Sequence, residues 1–164
     1  MIPLPTADDT RALGARVGAI VRPGDLIVLD GPLGAGKTVF VQGLAAGLGA
    51  SDPVTSPTFV IARVHAGGRL PLVHVDAYRL TGWAEVDDLD LDTDLAAAVV
   101  AVEWGAGLVE ALTDAHLRVQ LRRDAGDDVG GEDGIDDQGE RVAELQPVGG
   151  DWVQRLETAG LVGS

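Results

Sequence analysis

The chain has 164 residues, 46% of them apolar, which suits one domain with a core of its own. It has no cysteine, which excludes disulfides, thiol catalysis and cysteine-based zinc sites, and no apolar run nears the roughly 20 residues of a membrane span. The formal net charge is −14; eight of those negative charges fall in Asp124 to Glu140, leaving −6 elsewhere, and without a basic stripe any role beside nucleic acid should run through a partner.

The opening "MIPLPTADDT" lacks the basic region and apolar stretch of a signal peptide, so a cytoplasmic protein is expected. Thr6 to Val21 is predicted as a helix: Thr6 can cap it, Asp8 and Asp9 sit in its first turn, and Leu13, Val17, Ile20 and Val21 share a face. "RPGD" ends it, and "LIVLD" (Leu26 to Asp30) reads as a buried central strand. A glycine loop leads into a helix from about Lys37 to Leu48. "FVIARVH" and "LPLVHVDAY" flank "AGGR", the pattern of a hairpin. Trp83 to Leu95 is expected to form short helices, "AVVAVEW" (Ala98 to Trp104) a second buried strand, and "GLVEALT" a short helix. "HLRVQLRR" and "RVAELQPV" alternate like strands, and "DWVQRLETAGLV" closes with a helix capped by Asp151. Between those last strands, "DAGDDVGGEDGIDDQGE" (124–140) is too polar to offset its ordering entropy and is expected to be a flexible acidic loop in a long hairpin. An acidic partner tail or a metal trap is the alternative.

"GPLGAGKT" (Gly31 to Thr38) matches G-x-x-x-x-G-K-[ST], after a strand and opening a helix, where that motif must sit. The glycines permit inward-facing backbone N–H groups, which with the helix N-terminus make a concave anion site. Lys37 would reach the β- and γ-phosphates, and Thr38 would offer its hydroxyl to Mg²⁺. Pro32 has no N–H to give, so contacts to ATP should come from Leu33, Gly34, Ala35, Gly36, Lys37 and Thr38. The fold class is therefore α/β, a single P-loop NTPase-like domain over 1–164, its mixed sheet carrying helices on both faces.

Two acids end strands: Asp76 after "LVHV", as a Walker B aspartate would, and Glu103 after "VVAV". Either alone could be a surface residue; together beside a P-loop they point to Mg²⁺ and water. Ligands bind at that end of an open α/β sheet. Lys37, Asp76 and Glu103 are the candidate catalytic residues, and Thr38, Glu103 and Asp76 the candidate metal ligands. A GTPase is excluded at its base reader, because N-K-x-D needs an asparagine and the chain has none. The arginines after Arg79 (Arg118, Arg122, Arg123, Arg141 and Arg155) show no helical lid pattern and no obvious finger in cis. A small-molecule kinase remains the main rival, and a nucleotide-gated binding module a second. His65, His74 and His116 lie in alternating strands and are expected to pack or face water.

"VTSPTF" (Val54 to Phe59) reads locally as a turn, since Pro57 biases Ser56 away from helix. It also lies between the P-loop helix and the next strand, where P-loop proteins keep the segment that senses the γ-phosphate. A switch with the Thr55, Ser56 or Thr58 hydroxyls near metal or phosphate is expected, an ordinary turn being the alternative.

In this order and spacing, "GPLGAGKT", "VTSPTF", "HVDAYRL" and "VVAVEW" closely resemble the bacterial tRNA threonylcarbamoyladenosine biosynthesis ATPase family, TsaE, over about Ile2 to Trp104. The opening "IPLPTADDTRALGARV" is similar too. The resemblance implies Mg²⁺-dependent ATP hydrolysis that supports threonylcarbamoylation of the adenosine beside the anticodon. The implied partners are a transferase subunit and its inactive paralogue, with tRNA met only indirectly and no membrane. It implies that Leu33 to Thr38 form the phosphate loop, that Thr38 and Glu103 are magnesium-associated, and that Asp76 is a metal or water ligand. Thr6 to Thr10 would lie near the adenine. Trp104 and Tyr78 match family aromatics, with core packing the better single explanation for each. The chain departs from the family at Pro32, in the acidic stretch after Leu80, and in the 124–140 insertion.

Overall fold

The computed structural model describes residues 1–32, 34–50, 62–78, 83–88, 95–123 and 140–162. The predictions for Leu33, for the "VTSPTF" segment with Thr55, Ser56 and Thr58, and for the body of the acidic loop lie outside them.

In chain order the elements are β1 (Ile2–Leu4), α1 (Ala7–Gly18), β2 (Leu26–Asp30), α2 (Lys37–Leu48), β3 (Ala62–His65), β4 (Leu72–Asp76), α3 (Trp83–Asp88), β5 (Val99–Glu103), a 3₁₀ turn (Glu110–Leu112), β6 (His116–Arg123), β7 (Arg141–Val148) and α4 (Trp152–Thr158). The strands form one mixed sheet in the order β1-β7-β6-β2-β5-β4-β3. Its centre is parallel: β2 lies between β5 and β6, and β4 joins the far side of β5. Both flanks are antiparallel, through the β3–β4 and β6–β7 hairpins and through β1 on β7.

Alternation along the central strands sorts their side chains onto two faces. Ile27, Leu29, Leu72, Val99, Ala101, Leu117, Val119 and Leu121 pack with Leu13 and Val17 of α1, Phe40 and Leu44 of α2, and Trp152 and Leu156 of α4. Leu26, Val28, Val73, Val75, Val100 and Val102 form the opposite core, closed among the described residues by Leu95, Ala98 and Val109. The strands are buried on both faces, which is why they read as unbroken apolar runs.

Helices α1 and α2 meet through glycine. A methyl group on Gly43 would lie 2.0 Å from the Arg11 carbonyl oxygen, and one on Gly14 2.2 Å from that of Phe40. The absence of side chains there lets the two backbones touch and seats α2 against the sheet.

Some boundaries differ from expectation. Helix α1 stops at Gly18 rather than Val21, because the Ile20 N–H donates back to the Val17 carbonyl in a tightened last turn. Asp151 precedes α4 without capping it; its carboxylate accepts instead from Arg22 (2.6 Å) and Arg155 (2.9 Å). "GLVEALT" supplies only the 3₁₀ turn. Among the described residues no helix is long and apolar enough to cross a membrane.

Candidate functional site

The site lies where β2, β4 and β5 end and α2 begins. Asp30 closes β2 and ion-pairs with Arg118 of β6 at 2.6 Å. The chain then turns through the glycine loop, in which Gly34 and Gly36 hold φ of 77° and 101°, values that L side chains rarely adopt. Gly36 occupies the position just before α2 with no side-chain cap, so the first amides of α2 are left to an outside acceptor.

Lys37 follows, buried to 5% exposure. Its ammonium donates to the carbonyls of Gly31 (2.6 Å) and Pro32 (2.9 Å), folding back over its own loop. It also sits 3.9 Å from the centroid of the Trp104 ring. Desolvation pushes the Lys37 amine below its usual value, against the opposing pull of Glu103, Asp30 and Asp76. Trp104 itself has φ 61°, the non-glycine residue with positive φ among those described, a conformation that costs on the order of 1–2 kcal/mol. Its N–H donates to the Leu29 carbonyl and its ring meets Tyr78 edge-on at 5.2 Å. Tyr78 is 69% exposed and Trp104 half-buried, so neither is the core residue expected of it.

Thr38 places its hydroxyl 3.2 Å from Glu103 Oε1 and 3.5 Å from Oε2. Glu103 ends β5 and is 4% exposed. Its register partner on β4 is Asp76, and on β2 Leu29, so the two predicted acids stand side by side at the strand ends. Asp76 is more open, and its Oδ1 accepts from the Tyr78 N–H at 3.0 Å. The structure thus gathers Lys37, Thr38, Asp76 and Glu103 around one loop, with Gly34, Ala35 and Gly36 as its floor.

Hard oxygen donors, one or two carboxylates beside nucleotide phosphates, are what Mg²⁺ takes. The half-buried Thr38 hydroxyl and the buried Glu103 carboxylate, 3.2 Å apart, are such a set and fit the ion.

Thr6 caps α1. Its hydroxyl accepts from the Asp9 N–H (3.2 Å) while its own backbone N–H donates to Asp9 Oδ2 (2.9 Å), completing a capping box. The α1 residue beside the loop is Thr10, one turn on, whose methyl would lie 3.4 Å from a Cβ on Gly36.

Three further residues, none of them a predicted site residue, come to the site from β4, β6 and β7. The Arg123 guanidinium lies 3.9 Å from where a Cβ on Gly34 would be, and Arg141 Cδ equally far from one on Gly36. They are register partners at the end of the β6–β7 ladder where the connecting sequence leaves and returns. His74, expected only to pack or face water, packs and also binds Glu103: its Nε2 lies 2.6 Å from Oε2, with both side chains buried. The one available signal for it was its place two residues before Asp76, on the same face of β4.

Residues 4–129 match the family described as "Threonylcarbamoyl adenosine biosynthesis protein TsaE". The match runs past Trp104 through β6. Among similar proteins named "tRNA threonylcarbamoyladenosine biosynthesis protein TsaE", that of Streptomyces coelicolor is 56% identical over 120 residues, covering 71% of this chain and 81% of the relative. That of Bacillus subtilis (strain 168) is 42% identical over 122 residues, covering 74% of this chain and 75% of the relative. The fold is similar to the solved structure titled "Crystal structure of Bacillus subtilus YdiB", at TM-score 0.72 and 30% identity, over 96% of this chain and 91% of that one.

Proposed function

The chain belongs to the TsaE family of tRNA threonylcarbamoyladenosine biosynthesis proteins, and from that premise we propose that it is a Mg²⁺-dependent P-loop ATPase. Its hydrolysis of ATP supports threonylcarbamoylation of the adenosine next to the anticodon. It acts in the cytoplasm with a transferase subunit and that subunit's inactive paralogue, which hold the tRNA.

The observation that carries this reading is the contact of Thr38 with Glu103 at the start of α2, under a loop whose lysine is within reach. The loop amides and the Lys37 ammonium bind the β- and γ-phosphates, Lys37 exchanging the Gly31 and Pro32 carbonyls for phosphate oxygens. Thr38 and Glu103, with Asp76 beside them, would hold Mg²⁺. When bound, the ion supplies positive charge that neutralises the β- and γ-oxygens as the terminal bond breaks. Glu103 or Asp76 orients the attacking water. Trp104 covers the lysine and excludes solvent from it.

The test is reconstitution. The chain is mixed with the transferase pair, a synthase making threonylcarbamoyl-adenylate, threonine, bicarbonate, ATP and tRNA. Repeated rounds of tRNA modification should require this chain, and Lys37→Ala should not substitute for it. Modification that proceeds equally without the chain overturns the proposal. A small-molecule kinase would instead release ADP only when an acceptor is added.

A further inference from the structure

Glu103 is a carboxylate at 4% exposure, and a buried carboxylate is costly unless donors surround it. Besides the Thr38 hydroxyl, the donor in contact with it among the described residues is His74. Strand alternation explains the meeting. Leu72, His74 and Asp76 of β4 point to the α2 side of the sheet, as do Val99, Ala101 and Glu103 of β5. His74 is paired in register with Ala101, whose small side chain leaves room for the imidazole to reach along β5 to the glutamate.

The pair has a defined polarity. Nε2 lies 2.6 Å from Oε2, while the buried Nδ1 has no hydrogen-bond partner among the described residues. A proton on Nδ1 would be an unsatisfied buried donor, so the proton belongs on Nε2 and the glutamate accepts it. His74 therefore holds Oε2 from behind, and Oε1 is the oxygen nearer Thr38, at 3.2 Å against 3.5 Å.

We propose that His74 is a positioning residue: it fixes the rotamer of Glu103 so that one carboxylate oxygen stays directed at the Thr38 hydroxyl and the metal side of the nucleotide site. This deepens the ATPase reading and rests on it. Partners standing behind a metal-binding carboxylate typically change metal affinity or activity by 10–100-fold when removed.

Two variants separate hydrogen bonding from packing. His74→Gln can bring an amide N–H to the place of Nε2; His74→Leu fills similar volume with no donor. ADP binding is measured calorimetrically with and without Mg²⁺, beside kcat and KM for ATP. In the wild type, Mg²⁺ should tighten ADP binding. His74→Leu should lose about tenfold or more of that gain and a similar factor in kcat, while metal-free ADP affinity stays within about twofold. His74→Gln should recover most of both. Should His74→Leu fail to fold, His74→Asn, whose amide reaches only the Nδ1 position, takes its place. A wild-type Mg²⁺ gain in the Leu or Asn variant overturns the positioning role, as does an equal loss in the Gln variant. A wild type with no Mg²⁺ effect on binding and no hydrolysis overturns the ATPase reading, and this inference with it.

Discussion

Lys37 is the only lysine in the chain, and it stands in the phosphate loop. Its ammonium is held by two loop carbonyls and the face of Trp104, so in its absence those groups have no other amine to recruit. Lys37→Ala should reduce phosphate release from ATP to background, read by a coupled phosphate assay. Arg123 makes a weaker but separable prediction. An exposed guanidinium beside Gly34 can give a phosphate or ribose oxygen a charge-assisted hydrogen bond, worth on the order of 1 kcal/mol at a wet edge. Arg123→Ala should weaken ADP binding about fivefold by titration calorimetry, and Arg123→Lys should restore part of it; unchanged affinity would leave Arg123 outside the site. The motif residues Lys37, Thr38, Asp76 and Glu103 were legible because each sits at a fixed offset from a strand end or a glycine. His74 and Arg123 were not. Their closeness to the loop depends on the register of β4 on β5 and on how the β6–β7 hairpin lies against β2, and neither is a local property of the sequence.

At the scale of elements, the phosphate loop is aimed by α2, and α2 is seated by its contact with α1. A methyl on Gly43 would strike the Arg11 carbonyl at 2.0 Å, a backbone atom that cannot rotate away. Gly43→Ala should therefore cost about 2–3 kcal/mol, lower the melting temperature by roughly 5–10 °C, and weaken ADP binding as α2 shifts. Gly107 is the contrast: its φ is 81°, but a methyl there would meet nothing within 4 Å. Gly107→Ala should cost only the backbone strain, about 1 kcal/mol, and leave ADP affinity intact. Thermal melts with and without ADP distinguish the two. The helices and strands themselves were readable from period and punctuation, whereas this crossing was not. Glycines inside helical patterns lower helix propensity, and only the packed pair shows what they are for.

For the whole molecule, charge decides what the protein meets unaided. With a net charge of −14 and no basic stripe, it has little with which to displace counterions from RNA. In a gel shift at about 0.15 M ionic strength it should not bind tRNA alone at micromolar concentration. A shift should appear only with the transferase pair present; binding by the isolated chain would contradict a division of labour in which partners hold the tRNA. The longest strands, β6 and β7, carry one more consequence. Arg123 and Arg141 are opposite each other across the ladder, so any sequence joining them leaves and returns at neighbouring points clamped by eight cross-strand pairs. Lengthening such a connection costs only slowly growing closure entropy, about 0.6 kcal/mol for each doubling. Both anchor points adjoin the glycine loop. The hairpin is thus a graft port: a fluorophore-bearing peptide spliced between residues 123 and 141 would be tethered within reach of bound nucleotide, turning the protein into a reporter of its own occupancy.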